Sequence, residues 1–340
     1  MKQFPPVSNR NDSNSANKSG HSITAPLTAT FGHRSFYAGF YPALLFLLGL
    51  STLLLFSAAG ENNKVEPGYI VFRALSQTYP QQINKLSFRS RLNDWSIQVN
   101  GTWFNWAHGR ILPDALTQQY EEYLSFGFYH YPEDLPPVPP FDAEGEKEFL
   151  AQMKPHRQGL TTQESNAFRQ ALYQAPDKPA MDEQIQEIPF LEFRIKVHPM
   201  VIWPLKRVER HLLDAQQQDP ELSRFFRSLR NISTYSWRKI QYFEKLSNHS
   251  FGTALDLLPQ SWHGKAAYWN WERDRQEDWF NIPYKERWSP PQSVIDAFES
   301  EGFIWGGKWL YFDPMHFEYR PELYLLRDFL AKYKPGDETD

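Results

Sequence analysis

The stretch Ser247-Asn248-His249-Ser250-Phe251-Gly252-Thr253-Ala254-Leu255-Asp256 decides the fold. A histidine and an aspartate stand seven residues apart, with Gly252 and Ala254 between them. Leu255 and Leu257 are apolar while Ala254 and Asp256 have the other parity, so 253–258 reads as a strand with one face on a core. On such a strand Ala254 and Asp256 project to the same side. The small Ala254 leaves room there for something bulky beside the carboxylate. His249 has the wrong parity for that face on a straight strand. Gly252 can supply the bend or bulge that brings it back. Imidazole nitrogen plus carboxylate oxygen is a zinc-type ligand pair.

A third ligand comes late in the chain. Tyr311-Phe312-Asp313-Pro314-Met315-His316-Phe317-Glu318-Tyr319 places Asp313 three residues before His316. Asp-Pro opens a turn. Beyond it Phe317 and Tyr319 alternate with His316, Glu318 and Arg320, the pattern of a strand. His316 then faces the site, and Asp313 sits on the turn before it. Two histidines and one carboxylate leave a fourth zinc position open, the mark of a catalytic rather than a structural ion. His108, His198, His211 and His263 have no such neighbours.

The pattern S-x-H-x-x-G-x-A-x-D followed by D-x-x-H resembles the peptidase M15 family. That family holds zinc D,D-carboxypeptidases, D,D-dipeptidases and the phage endolysin L-alanyl-D-glutamate peptidases. Gly302-Phe303-Ile304-Trp305-Gly306-Gly307-Lys308-Trp309 and His316-Phe317-Glu318 look most like the endolysin-type branch. The resemblance covers about residues 230–325. It implies that His249, Asp256 and His316 bind Zn2+ and that Asp313 is the general base, where many relatives carry Glu. It also implies an arginine on a strand ahead of the first ligand. Tyr235-Ser236-Trp237-Arg238 resembles that element, at a short gap from His249. Ser247 resembles a position that contacts substrate; alternatively its hydroxyl serves only the turn before His249. Glu318 shares the His316 face and reads either as a partner that orients this ligand or as a paired surface acid. The tryptophans read first as core, with Trp269, Trp271 and Trp305 as candidates for a substrate groove.

Composition sets the surroundings. The chain has 340 residues, enough for one large or two small domains. A net charge of −4 argues against a nucleic-acid partner. Aromatics make up 16% with 12 Trp, which suits a large core and also a groove for glycan or peptide. The absence of Cys excludes a thiolate metal site and a Cys nucleophile.

Residues 1–35, rich in Ser, Asn, Thr and Pro, read as a disordered cytoplasmic tail. Residues 36–60 carry no charge and follow Lys2, Arg10, Lys18 and Arg34, so they read as a membrane anchor with the rest of the chain outside. Ser57-Ala58-Ala59 offers the alternative of a cleaved signal sequence. The expected location is the bacterial inner membrane, single pass, with the peptidase part in the periplasm or cell-wall space.

Residues 61–188 read as an α+β elaboration, with a helix over 69–78 and a hairpin over 95–106 around Asn100-Gly101. A further helix is expected at 116–124 and another to about 173 after the capping signal Thr161-Thr162-Gln163-Glu164, with a proline loop at 132–140 and a polar connector at 175–187. Residues 189–334 read as the zinc domain, an α+β fold with a small antiparallel sheet flanked by helices. There we expect one strand over 190–197, helices at 205–215 and 221–230, and a strand over 232–240 bearing Arg238. An aromatic insertion spans 259–291, and Ser289 reads as N-cap of a helix to 301. A last helix is expected over 323–333.

Together these readings imply metal-assisted amide hydrolysis of peptidoglycan stem peptides, with Asp313 as base and Arg238 at the developing oxyanion. An L-Ala–D-Glu endopeptidase needs an open groove; a D-Ala–D-Ala carboxypeptidase needs a cation for the free carboxylate. The Trp-Gly-Gly element favours the former. The rival from another class is a zinc-stabilised wall-binding module without turnover, against which Asp313 argues.

Overall fold

The computed structural model describes residues 66–138, 165–240 and 245–332. The expected tail at 1–35 and anchor at 36–60 lie outside the described residues. Among the described residues no helix is long and apolar enough to cross a membrane.

Helix α1 (Pro67–Thr78) leads into an antiparallel meander of β1 (Ile83–Arg89), β2 (Asp94–Val99), β3 (Thr102–Asn105) and β4 (Leu112–Pro113). Asn100 and Gly101 make the β2–β3 turn, as their pairing predicts. The helix expected at 116–124 is a 3-10 helix over Asp114–Glu122. Next come the short helices α2 (Ala167–Leu172) and α3 (Lys178–Gln184). The latter corrects the connector reading of 175–187. Its signal was Asp177, whose side chain accepts from Ala180 N at 3.0 Å, with Pro179 in the first turn.

The expected single strand at 190–197 is instead the second half of a hairpin, β5 (Gln186–Phe190) and β6 (Phe193–Val197). Leu191 takes a positive φ of 52° at the turn. Its N–H is accepted by Glu209 from α4 (Pro199–Gln216) at 2.5 Å. A partner so far along the chain leaves no local signal. Helix α5 (Pro220–Ser228) and β7 (Leu229–Ser233) follow. Strand β7 stops at Ser233, so Arg238 lies beyond it and not on it.

Strand β8 (Ala254–Pro259) is followed by the aromatic insertion with its helix α6 (Trp269–Arg273). Helix α7 (Gln292–Glu299) begins after Pro291; Ser289 bonds the Pro290 carbonyl instead of capping it. Strands β9 (Phe303–Trp305) and β10 (His316–Tyr319) and helix α8 (Pro321–Lys332) complete the described chain. The second sheet runs β7-β8-β10-β9, all antiparallel. The fold class is α+β.

Two cores meet at this sheet. Leu255, Leu257 and Phe317 pack with α4, α5 and α7. Phe251 and Ile304 pack with α1, β2 and α8. Phe298 and Phe317 stack with centroids 4.3 Å apart. The insertion folds over Phe312 through Trp279, Phe280 and Ile282. There the buried Arg287 lies 4.2 Å from the Phe312 ring and donates to the carbonyls of Ile282 and Phe280.

His198 is the N-cap of α4. Its Nδ1 accepts from Met200 N at 3.1 Å while Nε2 faces Gln184 Oε1 at 3.2 Å. That arrangement uses the neutral imidazole. Burial lowers the pKa from its ordinary 6.5 to about 4. The unfolded chain therefore binds the proton more readily across this window, and stability falls as pH drops through it. The loss at the acid end is up to about 3 kcal/mol. Urea midpoints measured from pH 7 to 4 are expected to fall, and to fall less in His198→Asn, which keeps a capping side chain. Equal slopes for both proteins would assign the acid sensitivity elsewhere.

Candidate metal centre

Three side chains converge from two strands and one turn. Strands β8 and β10 pair so that His316 lies opposite Asp256 and Glu318 opposite Ala254. The room left by Ala254 is next to Glu318. His249 stands on a 3-10 turn, Asn248–Phe251, and not on the strand. Gly252 ends that turn with φ 63°. A side chain there would meet Ile185 Cδ1 at 2.6 Å and His198 N at 2.7 Å. Glycine is thus required twice, by conformation and by contact. The turn swings His249 onto the Asp256 face.

His249 Nδ1 lies 2.7 Å from the Thr234 carbonyl, which can only accept. Nδ1 therefore carries the proton, and Nε2 offers its lone pair to the site. His316 faces Glu318 Oε2 with Nε2 at 3.2 Å and turns Nδ1 inward. The inward atoms form a triangle. His249 Nε2 is 3.2 Å from Asp256 Oδ1 and 3.3 Å from His316 Nδ1, and the last edge, His316 Nδ1 to Asp256 Oδ1, is 2.9 Å. Donors about 2.0–2.2 Å from a tetrahedral ion stand roughly 3.3 Å apart. The triangle is thus close to one face of a zinc tetrahedron. Among the described residues, the ligand atoms of these three lie close enough to hold one ion together.

Charge points the same way. Burial raises the Asp256 pKa, but the two histidines outweigh it and hold the carboxyl below its usual range. Burial lowers the His316 pKa, but Asp256 and Glu318 outweigh it and push it up to about 10. The centre favours positive charge. Glu318 is buried and also accepts from Asn248 Nδ2 at 2.6 Å. It is a partner of the His316 ring, and the surface-acid alternative falls.

Asp313 sits on the loop before β10. Its N–H donates to the Gly306 carbonyl at 2.9 Å, and its own carbonyl accepts from His316 N at 2.9 Å. A side chain on Gly306 would stand 2.5 Å from that carbonyl. The loop is therefore fixed by its backbone, which leaves the carboxylate available. Among the described residues its Oδ1 is buried without a hydrogen-bond partner. Burial pushes the carboxyl up to about 7, with His316 and Arg238 pulling against Asp256 and Glu318.

Arg238 is exposed and close enough to act on the Asp313 charge. It arrives on an irregular pairing in which Lys239 bridges Leu246. Ser250 Oγ accepts from Arg238 N at 2.9 Å and donates to its carbonyl at 2.7 Å. This tight fold-back explains the short gap to His249.

Two sequence assignments change. Ser247 is buried, and its hydroxyl accepts from His249 N at 3.3 Å, so it serves the turn. Trp305 is only 4% exposed and donates its indole N–H to the Pro314 carbonyl at 2.7 Å. It pins the Asp313 loop from inside the core and leaves little surface open to a groove. Trp269 packs among Trp279 and Tyr311, whereas Trp271 is exposed. A cavity of about 330 Å³ lies behind His316, lined by Asn248 and Glu318 and bounded by Phe126, Tyr129, Trp309 and Tyr311; His249, Asp256, Asp313 and His316 do not line it. Its N-terminal wall was invisible to motif reasoning, because no motif links residues so far apart in sequence.

A peptidase M15 family model described as D-alanyl-D-alanine carboxypeptidase matches residues 243–319. The match contains His249, Asp256, Asp313 and His316, so this segment is similar to M15-type peptidases. Arg238 precedes it by five residues. A model described as a domain of unknown function matches residues 71–128. No curated protein and no solved structure matches the chain.

Proposed function

We propose that the chain is a zinc-dependent peptidase that hydrolyses amide bonds in peptidoglycan stem peptides, of the L-Ala–D-Glu or D-Ala–D-Ala kind. The observation that carries this reading is the convergence of three ligand atoms beside a buried carboxylate oxygen with no partner among the described residues. A purely structural ion needs no such carboxylate, which disfavours the wall-binding module.

His249, Asp256 and His316 would hold the ion. When bound, zinc supplies Lewis acidity to the carbonyl under attack and makes water acidic near neutral pH. Asp313 takes one proton from the attacking water as its oxygen adds to the carbonyl carbon. The same carboxyl then gives that proton to the departing amine as the C–N bond breaks. Arg238 donates toward the oxygen on which negative charge develops. Thr234 and Glu318 keep the two imidazoles in the required orientation.

The basic tail and uncharged block at 36–60 support export of residues 61–340, anchored at the inner membrane. A reporter fused to the C-terminus is expected to work only if it is one that requires export. Full-length protein added to purified sacculi is expected to release soluble peptide. Activity of a cytoplasm-only reporter would overturn the topology, and binding without release would favour the wall-binding module.

A further inference from the structure

Glu318 is not held by its neighbours on β10 alone. Its Oε2 takes the His316 and Asn248 contacts, while Oε1 faces Arg320 Nη1 at 3.4 Å. Arg320 is buried and held on two further sides. Its Nε donates to Glu322 Oε1, and its Nη2 donates to the Gly127 carbonyl at 2.9 Å. Glu322 in turn accepts from the Tyr79 hydroxyl at 2.9 Å. Tyr79 and Gly127 both fall in the segment matched by the domain of unknown function. Arg320 and Glu322 lie just past the end of the peptidase match. The chain of contacts thus runs from the 71–128 segment to the residues that follow the peptidase match.

We infer that Arg320 is a positioning residue for His316, and that the 71–128 segment supports the metal centre through it. The inference rests on the metal-site reading above. Two physical reasons carry it. First, Arg320 keeps Glu318 and Glu322 from facing each other as uncompensated buried charges. Without it, Glu318 turns away from the His316 Nε2–H, and the ring loses what fixes its orientation. Second, the trio Glu318, Arg320 and Glu322 carries one net negative charge. Added to Asp256, it balances a dication. Removing the guanidinium disturbs both the direction of the ligand and the charge behind it.

The test uses full-length protein. Zinc dissociation constants are measured by competition with a chromophoric chelator, with the visible spectrum of the cobalt(II)-loaded form recorded alongside. Urea midpoints without added metal report folding separately. Arg320→Met is expected to bind zinc about 10–100-fold more weakly, as for other partners of metal ligands, and to shift the cobalt bands. Arg320→Lys restores charge without the planar fork and is expected to recover part of the affinity. Tyr79→Phe, which deletes one hydroxyl, is expected to show a smaller loss in the same direction. A folded Arg320→Met with wild-type zinc affinity and cobalt spectrum would overturn the inference. Should Arg320→Met not fold, unchanged zinc affinity in Tyr79→Phe overturns it instead. Wild-type protein that binds no zinc would remove the metal-site reading itself, an outcome distinct from either.

Discussion

Asp313→Asn is expected to keep its zinc and lose its turnover. The three ligands remain, so metal content stays near one ion per chain. The amide cannot accept a proton, and general-base catalysis is typically worth about 10²–10⁴-fold. Folding is expected to change little, because the loop is held by backbone bonds to Gly306 and His316 and by Trp305 at Pro314. The carboxylate Oδ1 has no hydrogen-bond partner among the described residues to lose. Asn also suits the turn before Pro314. Zinc analysis and muropeptide cleavage on the same preparation check both halves. Arg238→Ala is expected to lose about 10²–10³-fold in rate with metal retained. Wild-type turnover in Asp313→Asn would place the base elsewhere, with Glu318 the next candidate.

The ligand variants are expected to fail in the opposite order, metal first. Asp256→Asn replaces a charged donor with a neutral one at nearly the same shape. His249→Ala removes the donor that completes the triangle. Both are expected to lose more affinity than the about 10–100-fold seen for outer partners, and activity falls to background with the metal. Adding excess zinc is expected to rescue Asp256→Asn in part and Asp313→Asn not at all. Activity that persists in chelator, in wild type or in either variant, would contradict the ligand set.

How much of this was legible in the sequence divides along physical lines. The β8 strand and its Asp256 face followed from the alternation of Leu255 and Leu257 with Ala254 and Asp256, because strand parity is a local property. The Asn100-Gly101 hairpin was legible for the same reason. The role of Gly252 was visible as a need for a bend, although the bend is a 3-10 turn and not a bulge. What failed depended on partners distant in sequence. The Leu191 turn relies on Glu209. The early end of β7 reflects a backbone that turns to pair with 246–250. Trp305 looked available for substrate because its motif is conspicuous, but the Pro314 carbonyl claims its indole. Nothing near residues 71–128 announced that Tyr79 reaches Glu322. Sequence patterns report the face a residue presents, and they are silent on what the rest of the fold brings to that face.

The most direct measurement is a paired digestion of purified muropeptides by full-length protein, once loaded with zinc and once stripped and kept in chelator. Products are read by mass spectrometry for added water and new termini. The account predicts products heavier in total by one water per cut, with the new amine at an L-Ala–D-Glu or D-Ala–D-Ala bond, in the zinc-loaded sample only. Intact muropeptides in both samples, from protein that carries one zinc and binds sacculi, would contradict it.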